Sequence, residues 1–251
     1  MPGPVFLADD AEPALGSATS GDVVRLSGSE ARHAVTVLRV RVDDPVELVD
    51  GQGRRVRGRV SETARASVEV RVEDVVDEAQ VEPLIVVAQA LAKGDRAERA
   101  VESLTEVGVD EIVPWTARRS VSRWDDRREE RGVARWIAMA RSATKQARRS
   151  RMPRIAEPTD LEGVCARVVE STLALVLDPK STTPIGDVEM PDDGACLIVV
   201  GPEGGLDDAE VDALRECGGI PVLLGPSILR TSTAGTVAAG IVMSRCRRWR
   251  P

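Results

Sequence analysis

The sequence predicts an α/β protein in two parts, a small N-terminal β-barrel over residues 1–78 and an alternating strand–helix domain over residues 79–251. Three observations carry this expectation. Short β-rich runs crowd the first part, at 23–26, 46–49, 55–60 and 66–72, divided by turn signals such as Asp43-Asp44-Pro45 and Asp50-Gly51-Gln52-Gly53. Beyond an acidic stretch at 73–82, closed by Pro83 and read as the linker, apolar strands alternate with helix-period segments. The strands of this second part, such as 197–200 and 222–224, are continuous apolar runs, as in parallel sheets covered on both faces.

Taken in order, the elements have local reasons. Residues 29–39 read as a helix with Ala34, Val37 and Leu38 turned inward, which leaves Arg32 and Arg39 to solvent. The buried strand 84–91 runs into the turn Lys93-Gly94-Asp95. A helix follows with Asp95 as its cap, Ala97, Ala100, Val101, Leu104 and Val107 as its apolar face, and Gly108 at its end. After strand 111–114, a long helix over 127–149 turns Val133, Trp136, Ile137, Ala140 and Ala147 to the core, with Arg141, Lys145, Arg148 and Arg149 on one face. Strand 173–177 and strand 196–200 come next. The loop Gly201-Pro202-Glu203-Gly204-Gly205 then leads to a helix opened by the capping-box pattern Asp207-x-x-Glu210 and closed by Gly218. Strand 220–224, a second loop over 225–230, and a last helix over 233–247 with Ala234, Val237, Ala238, Ile241 and Val242 on one face complete the chain.

Composition narrows the chemistry. Four widely spaced cysteines and a single histidine, His33, offer no metal-ligand spacing, and the cysteines read as buried thiols of a reducing compartment. No apolar run reaches the roughly 18–20 residues of a membrane span, and the N-terminus lacks a signal pattern, so a cytoplasmic protein is expected. The net charge is −7, yet residues 118–154 hold 13 Lys+Arg against 4 Asp+Glu. A field is local and screened within about 8–10 Å, so such a segment can make a phosphate-binding face on an acidic protein.

Two glycine loops at the carboxyl ends of two strands mark a ligand site by position. The first loop is not G-x-G-x-x-G, no acidic residue ends the following strand, no lysine follows the glycines, and no Ser/His/Asp set exists. Gly201-Pro202-Glu203-Gly204-Gly205 followed by Leu223-Leu224-Gly225-Pro226-Ser227-Ile228-Leu229-Arg230-Thr231 resembles the signature of the ribosomal RNA small-subunit methyltransferase E (RsmE) family of SPOUT enzymes. His33-Ala-Val-Thr-Val-Leu-Arg39 with Asp50-Gly51, Glu106-Val-Gly-Val109 with Pro114, and Gln146…Arg149…Pro153 support the resemblance over nearly the whole chain. Ser103, Lys145 and Ser232 depart from residues usual in that family, where lysine, glutamate and glutamate stand.

The resemblance implies a PUA-like β-barrel followed by a SPOUT α/β domain with a deep C-terminal trefoil knot. It implies transfer of a methyl group from S-adenosylmethionine to N3 of a uridine in 16S ribosomal RNA, within the small subunit, by a homodimer without metal. Leu177, Val200, Gly201, Pro202, Glu203, Gly204, Gly205, Leu223, Leu224, Gly225, Ile228, Leu229, Thr231, Thr233 and Ala234 are the expected cofactor contacts. Arg32, His33, Arg39, Arg119, Arg123, Arg141, Lys145 and Arg149 are the expected RNA contacts. Arg230 is the expected catalytic residue, a cation beside the uracil carbonyls where charge gathers as N3 loses its proton. It cannot be the base, since guanidinium does not deprotonate in proteins. The other readings are a nucleotide- or NAD-binding enzyme on an unknotted sheet, separable by the cofactor it retains, and a non-catalytic RNA-binding protein, which S-adenosylmethionine binding counts against.

Overall fold

The computed structural model describes residues 3–122, 124 and 126–249, and the chain divides into two compact units. Residues up to 80 together with 144–152 form the first, and residues 81–143 together with those from 153 onward form the second.

The first unit is a curled five-stranded sheet. Its strands are β1 (Val5–Leu7), β2 (Val23–Leu26), β3 (Pro45–Val49), β4 (Arg54–Ala64) and β5 (Ser67–Asp77), in the order β1-β3-β4-β5-β2. Register shifts at Arg57/Gly58 and Val60/Glu62 bend the long β4–β5 hairpin. At Gly58 a Cβ would lie 2.3 Å from the Arg71 carbonyl oxygen, so only glycine fits the first bend. The curl brings Glu12 back onto Arg25 of β2, where the two backbones exchange hydrogen bonds of 2.9 and 2.7 Å and nearly close the barrel. Phe6, Val24, Leu26, Leu48, Val56, Val60 and Val70 fill its interior. The expected helix at 29–39 is α1 (Gly28–His33) continued by a π-helical turn (Ala34–Leu38), and Val37 and Leu38 face solvent rather than the core.

Two expectations fail here for the same reason. Most of the acidic linker is strand: residues through Asp77 pair with β4, and Arg54–Asp77, Arg57–Asp74 and Arg59–Glu73 ion pairs line the ladder. Opposite charges facing each other across a sheet stabilise the pairing that the acidic run alone argues against. The long helix ends early. As α3 (Asp126–Gln146) it stops before Arg148, which is left-handed at φ 56°. Arg148 N–H donates to Lys145 O (3.1 Å) and Arg149 N–H to Thr144 O (2.9 Å), the Schellman pattern that usually takes glycine. The Arg148 guanidinium donates to Gly3 O at 2.7 Å, and its carbonyl accepts from Arg55 at 3.0 Å. Buried Arg55 also holds Glu47 and Glu78, both at 2.6 Å. Burial alone would lower its pKa, but those two carboxylates outweigh it and raise it.

The second unit is a six-stranded parallel sheet of β6 (Leu84–Ala90), β7 (Glu111–Trp115), β8 (Arg154–Ile155), β9 (Leu173–Leu177), β10 (Ala195–Val200) and β11 (Ile220–Val222). Its order is β11-β9-β10-β6-β7-β8. Residues alternate between two cores. Val86, Ala88, Ala174, Val176, Leu197 and Val199 pack on α4 (Leu161–Glu170) and α5 (Asp208–Glu216). The opposite face is covered by α2 (Arg96–Val107) and α6 (Thr231–Arg245). Gly235 lets α6 lie close, since a Cβ there would stand 3.2 Å from Val200 and 3.4 Å from Gln89 and Leu104. Gly108 and Gly218 terminate α2 and α5 at positive φ, as expected. Asp95 begins α2 without capping it, because its carboxylate pairs with Arg99 instead. Ile137 of α3 is 39% exposed, not part of the core. No described helix is long and apolar enough to cross a membrane.

Candidate active site

At the carboxyl ends of β9, β10 and β11 a cavity of about 550 Å³ opens. Both glycine loops line it. Of the residues expected from sequence, Leu177, Val200, Gly201, Pro202, Glu203, Gly204, Gly205, Leu223, Leu224, Gly225, Ile228, Leu229, Thr231 and Ala234 stand in its wall. Asp178 and Pro179, just past β9, also line it, as do Leu206, Val222, Pro226 and Ser227, and the Asp-Pro pair directly after an apolar run is the sequence signal for the first two. Thr233 is exposed on the first turn of α6 and does not line the cavity. Arg230, the residue before α6, is also exposed and outside the wall, and its guanidinium has no ion pair or hydrogen bond among the described residues.

The first loop is held from several directions. Glu203 Oε1 accepts from the Lys93 N–H at 3.0 Å and from Arg96 at 3.1 Å. Burial alone would push the Glu203 carboxyl up, but its own backbone N–H, that of Lys93 and the Arg96 guanidinium outweigh it and hold it below its ordinary value. Arg119 donates to Gly204 O (3.1 Å) and Leu206 O (3.4 Å). Gly205 has φ +69°, a conformation other residues adopt only at a cost. Behind the loop the expected capping box is complete: Asp207 Oδ1 accepts from Glu210 N–H at 2.8 Å, and Glu210 Oε2 from Asp207 N–H at 2.9 Å. Arg118 N–H donates to Glu210 Oε1 as well, at 2.7 Å. From below, Thr231 Oγ1 donates to Gly201 O (2.8 Å) and accepts from Gln89 Nε2 (3.0 Å), a buried relay from the end of β6 to the loop. A fully buried glutamine in the apolar run of β6 is the sequence signal for that relay.

The expected RNA residues divide between the units. In the first, Arg32, His33 and Arg39 are exposed along α1 and the π-helical turn, with Arg39 left-handed at φ 56°. Lys145 is instead drawn into a nearly buried ion pair with Glu30 at 2.7 Å, and half-buried Arg149 stands past the helix end rather than on its face. In the second, Arg119 braces the glycine loop and Arg141 is half-buried on α3. Arg123 lies outside the described residues. Two of the thiols are poor nucleophiles: burial, with a contribution from Cys217, pushes Cys165 up to about 11, and burial with Cys246 pushes Cys196 up to about 12.

Residues 80–243 match the family model of the RNA methyltransferase domain, and residues 26–73 match that of the RNA methyltransferase PUA domain. The ribosomal RNA small subunit methyltransferase E of Mycobacterium bovis is 39% identical over 234 residues, 92% of this chain and 89% of that protein. The chain belongs to the ribosomal RNA small subunit methyltransferase E family. The family member of Bacillus subtilis is 29% identical, over 86% of this chain and 88% of its own length. A crystal structure of the family member from Neisseria gonorrhoeae, bound to S-adenosyl methionine, matches with a TM-score of 0.84 at 26% identity, over 97% of this chain and 98% of that one. The curled sheet and the parallel-sheet unit are thus the architecture of this family, the first a PUA-type domain and the second the methyltransferase domain.

Proposed function

We propose that this chain transfers a methyl group from S-adenosylmethionine to small-subunit ribosomal RNA in the cytoplasm, and that the acceptor is N3 of a uridine in 16S RNA. The observation that carries the reading is the cavity framed by both glycine loops at three adjacent strand ends. Its volume falls within the roughly 300–1,000 Å³ usual for small-molecule sites, and its wall is mostly apolar with backbone polar groups at the glycines. At Gly225 a Cβ would meet nothing within 4 Å, so the backbone there is open to a close ligand. These residues fit a purine nucleoside with a charged tail. Leu224, Leu229 and Ile228 would flank the adenine, and the 201–205 backbone would face the polar atoms. Bound there, S-adenosylmethionine supplies an electrophilic methyl group on a sulfonium.

The chain's own part is charge placement. Uridine N3 lies between two carbonyls, so loss of its proton spreads negative charge onto both oxygens. Arg230, whose guanidinium is not engaged by any described carboxylate, is the cation assigned to hold that charge. We assign RNA capture to residues 1–78, through Arg32, His33 and Arg39, and methyl transfer to the remainder. A threaded knot is part of the same reading. Leu223 pairs with the 183–185 segment of the β9–β10 loop, and the chain then returns to pack α6 on β10 and β6, in the middle of the sheet. A homodimer would cover Val237 of α6, which is 37% exposed.

The test combines calorimetry with S-adenosylmethionine and mass spectrometry of small-subunit RNA after reaction. Micromolar binding and N3-methyluridine as the product are expected. Absence of binding, or methylation of another base, overturns the assignment.

A further inference from the structure

A second cavity of about 560 Å³ lies in the same unit, as large as the first. It opens between the loop after β6, the first turn of α2 and the middle of α3, with Trp124 in its wall. The indoles of Trp124 and Trp136 meet edge to face, centroids 5.5 Å apart and planes at 77°. Trp136 is buried, but Trp124 is only half-buried. Gly132 makes the room: a Cβ there would stand 2.5 Å from the Trp124 ring. Glycine inside a helix costs about 0.5–1 kcal/mol relative to alanine, so this notch works against α3 and for the seat of the indole.

Glu98 supplies the polar half of the wall. Its Oε1 accepts from Arg135 at 3.2 Å, while Oε2 is shielded from solvent and has no hydrogen-bond partner among the described residues. A shielded carboxylate oxygen without a donor is costly, and a ligand N–H would relieve it. Asp95 and Glu98 of this wall are already paired with Arg99 and Arg135, so no described cation of the wall is left to single out a phosphate. The segment is tied to the first cavity: Ala92 and Gly94 line the second, and the N–H of Lys93 between them donates to Glu203 of the glycine loop.

A flat π-surface beside an orphan carboxylate oxygen selects for an aromatic ring that carries an N–H. We infer that this cavity takes an unpaired nucleobase of the RNA, stacked on Trp124 with its ring N–H donated to Glu98 Oε2. The inference rests on the RNA-methylating function proposed above. Uracil and guanine have such an imino N–H, and base stacking on an aromatic side chain tolerates either.

The test titrates the full-length protein with single-stranded hexauridylate and with its N3-methylated counterpart, which keeps the ring and loses the donor. Hexauridylate should quench tryptophan emission and bind roughly tenfold more tightly than the methylated probe, whereas Glu98→Ala should lose most of that preference and keep only what the methyl-acceptor site itself contributes. Trp124→Leu should weaken hexauridylate roughly 5–150-fold, the range of one lost stacking contact. S-adenosylmethionine affinity, measured on each variant, reports the integrity of the fold, and Trp124→Phe replaces Trp124→Leu if that affinity is lost, with binding retained. Equal affinity of the wild-type protein for the two probes overturns the inference without any variant. Absence of S-adenosylmethionine binding by the wild type would sink the proposed function, with the pocket still judged by the two probes.

Discussion

The two glycine loops line one cavity, yet they are built in opposite ways. The first, from Gly201 to Leu206, is fastened by Glu203 to Lys93 and Arg96, by two carbonyls to Arg119, and by Gly201 O to Thr231. The second is held at Leu223, by Thr183 and Ile185, and then runs on with Pro226 and Ser227 exposed and Ile228 85% exposed. It ends at Arg230, the one cation on either loop, which no described carboxylate engages. An anchored loop meets a ligand without losing conformational freedom on binding, which favours affinity. A charge left unpaired keeps its full field for a charge that develops during reaction, which favours rate. On the proposed function, the first loop would serve as a cradle and the second would carry the reacting cation.

The sharpest way to break this division is Arg230→Ala. It should keep the fold and most S-adenosylmethionine affinity while single-turnover methylation falls by roughly 10²–10³, the usual loss for one well-placed donor. Arg230→Lys should recover only part, since a point charge does not reproduce the planar fork. Raising the pH should partly rescue Arg230→Ala, because more uridine is then already ionised. Normal turnover with weakened cofactor binding would move Arg230 into the cradle.

Gly204→Val probes the cradle from the other side. Its Cβ would stand 3.2 Å from that of Arg119, and overpacking of this kind costs about 1–3 kcal/mol, or roughly 5–150-fold in affinity by calorimetry. Unchanged affinity in the folded variant would show the loop to be as adaptable as its partner. Arg119→Ala should cost less, about tenfold in cofactor affinity, since exposed charged hydrogen bonds are at the low end of about 1.5–3 kcal/mol. The same variant sharpens the RNA question. If Arg119 also contacts a phosphate, the slope of log affinity against log salt should flatten by about 0.7, and otherwise it should not change.

Glu203→Gln should have the smallest effect, under about 1 kcal/mol, as for other partly exposed ion pairs. Its sign is set by pH. The folded carboxyl lies below its ordinary value of 4.5, so its contribution is full above that value and is lost as pH falls through the lower, folded one. Melting temperatures of wild type and Glu203→Gln should differ at neutral pH and converge below pH 4.5. A gap that persists in acid would mean that shape, not charge, holds the loop.

Much of this was legible in the residues because its causes are local. The capping box at Asp207 and Glu210, the glycines that end α2 and α5, and the apolar runs of β6, β9 and β10 each depend on residues a few positions apart. Fourteen of the fifteen expected cofactor residues stand in one wall for a related reason: they sit on two short loops, on the strand ends beside them, or on the first turn of α6 that follows the second loop. What the tertiary structure alone decided depends on partners far along the chain. The acidic stretch became strand because β4 presents arginines opposite it. The last turn of the basic helix unwound because Arg148 has Gly3, Glu47 and Arg55 to satisfy it in a conformation it would otherwise avoid. Lys145, basic in sequence, is drawn toward Glu30, 115 residues away. Gln89 braces a loop 112 residues beyond it through Thr231. Local pattern determines which backbone conformations are available to a segment. The choice among them, and which charges remain for function, falls to contacts whose energies exist only once distant segments have met.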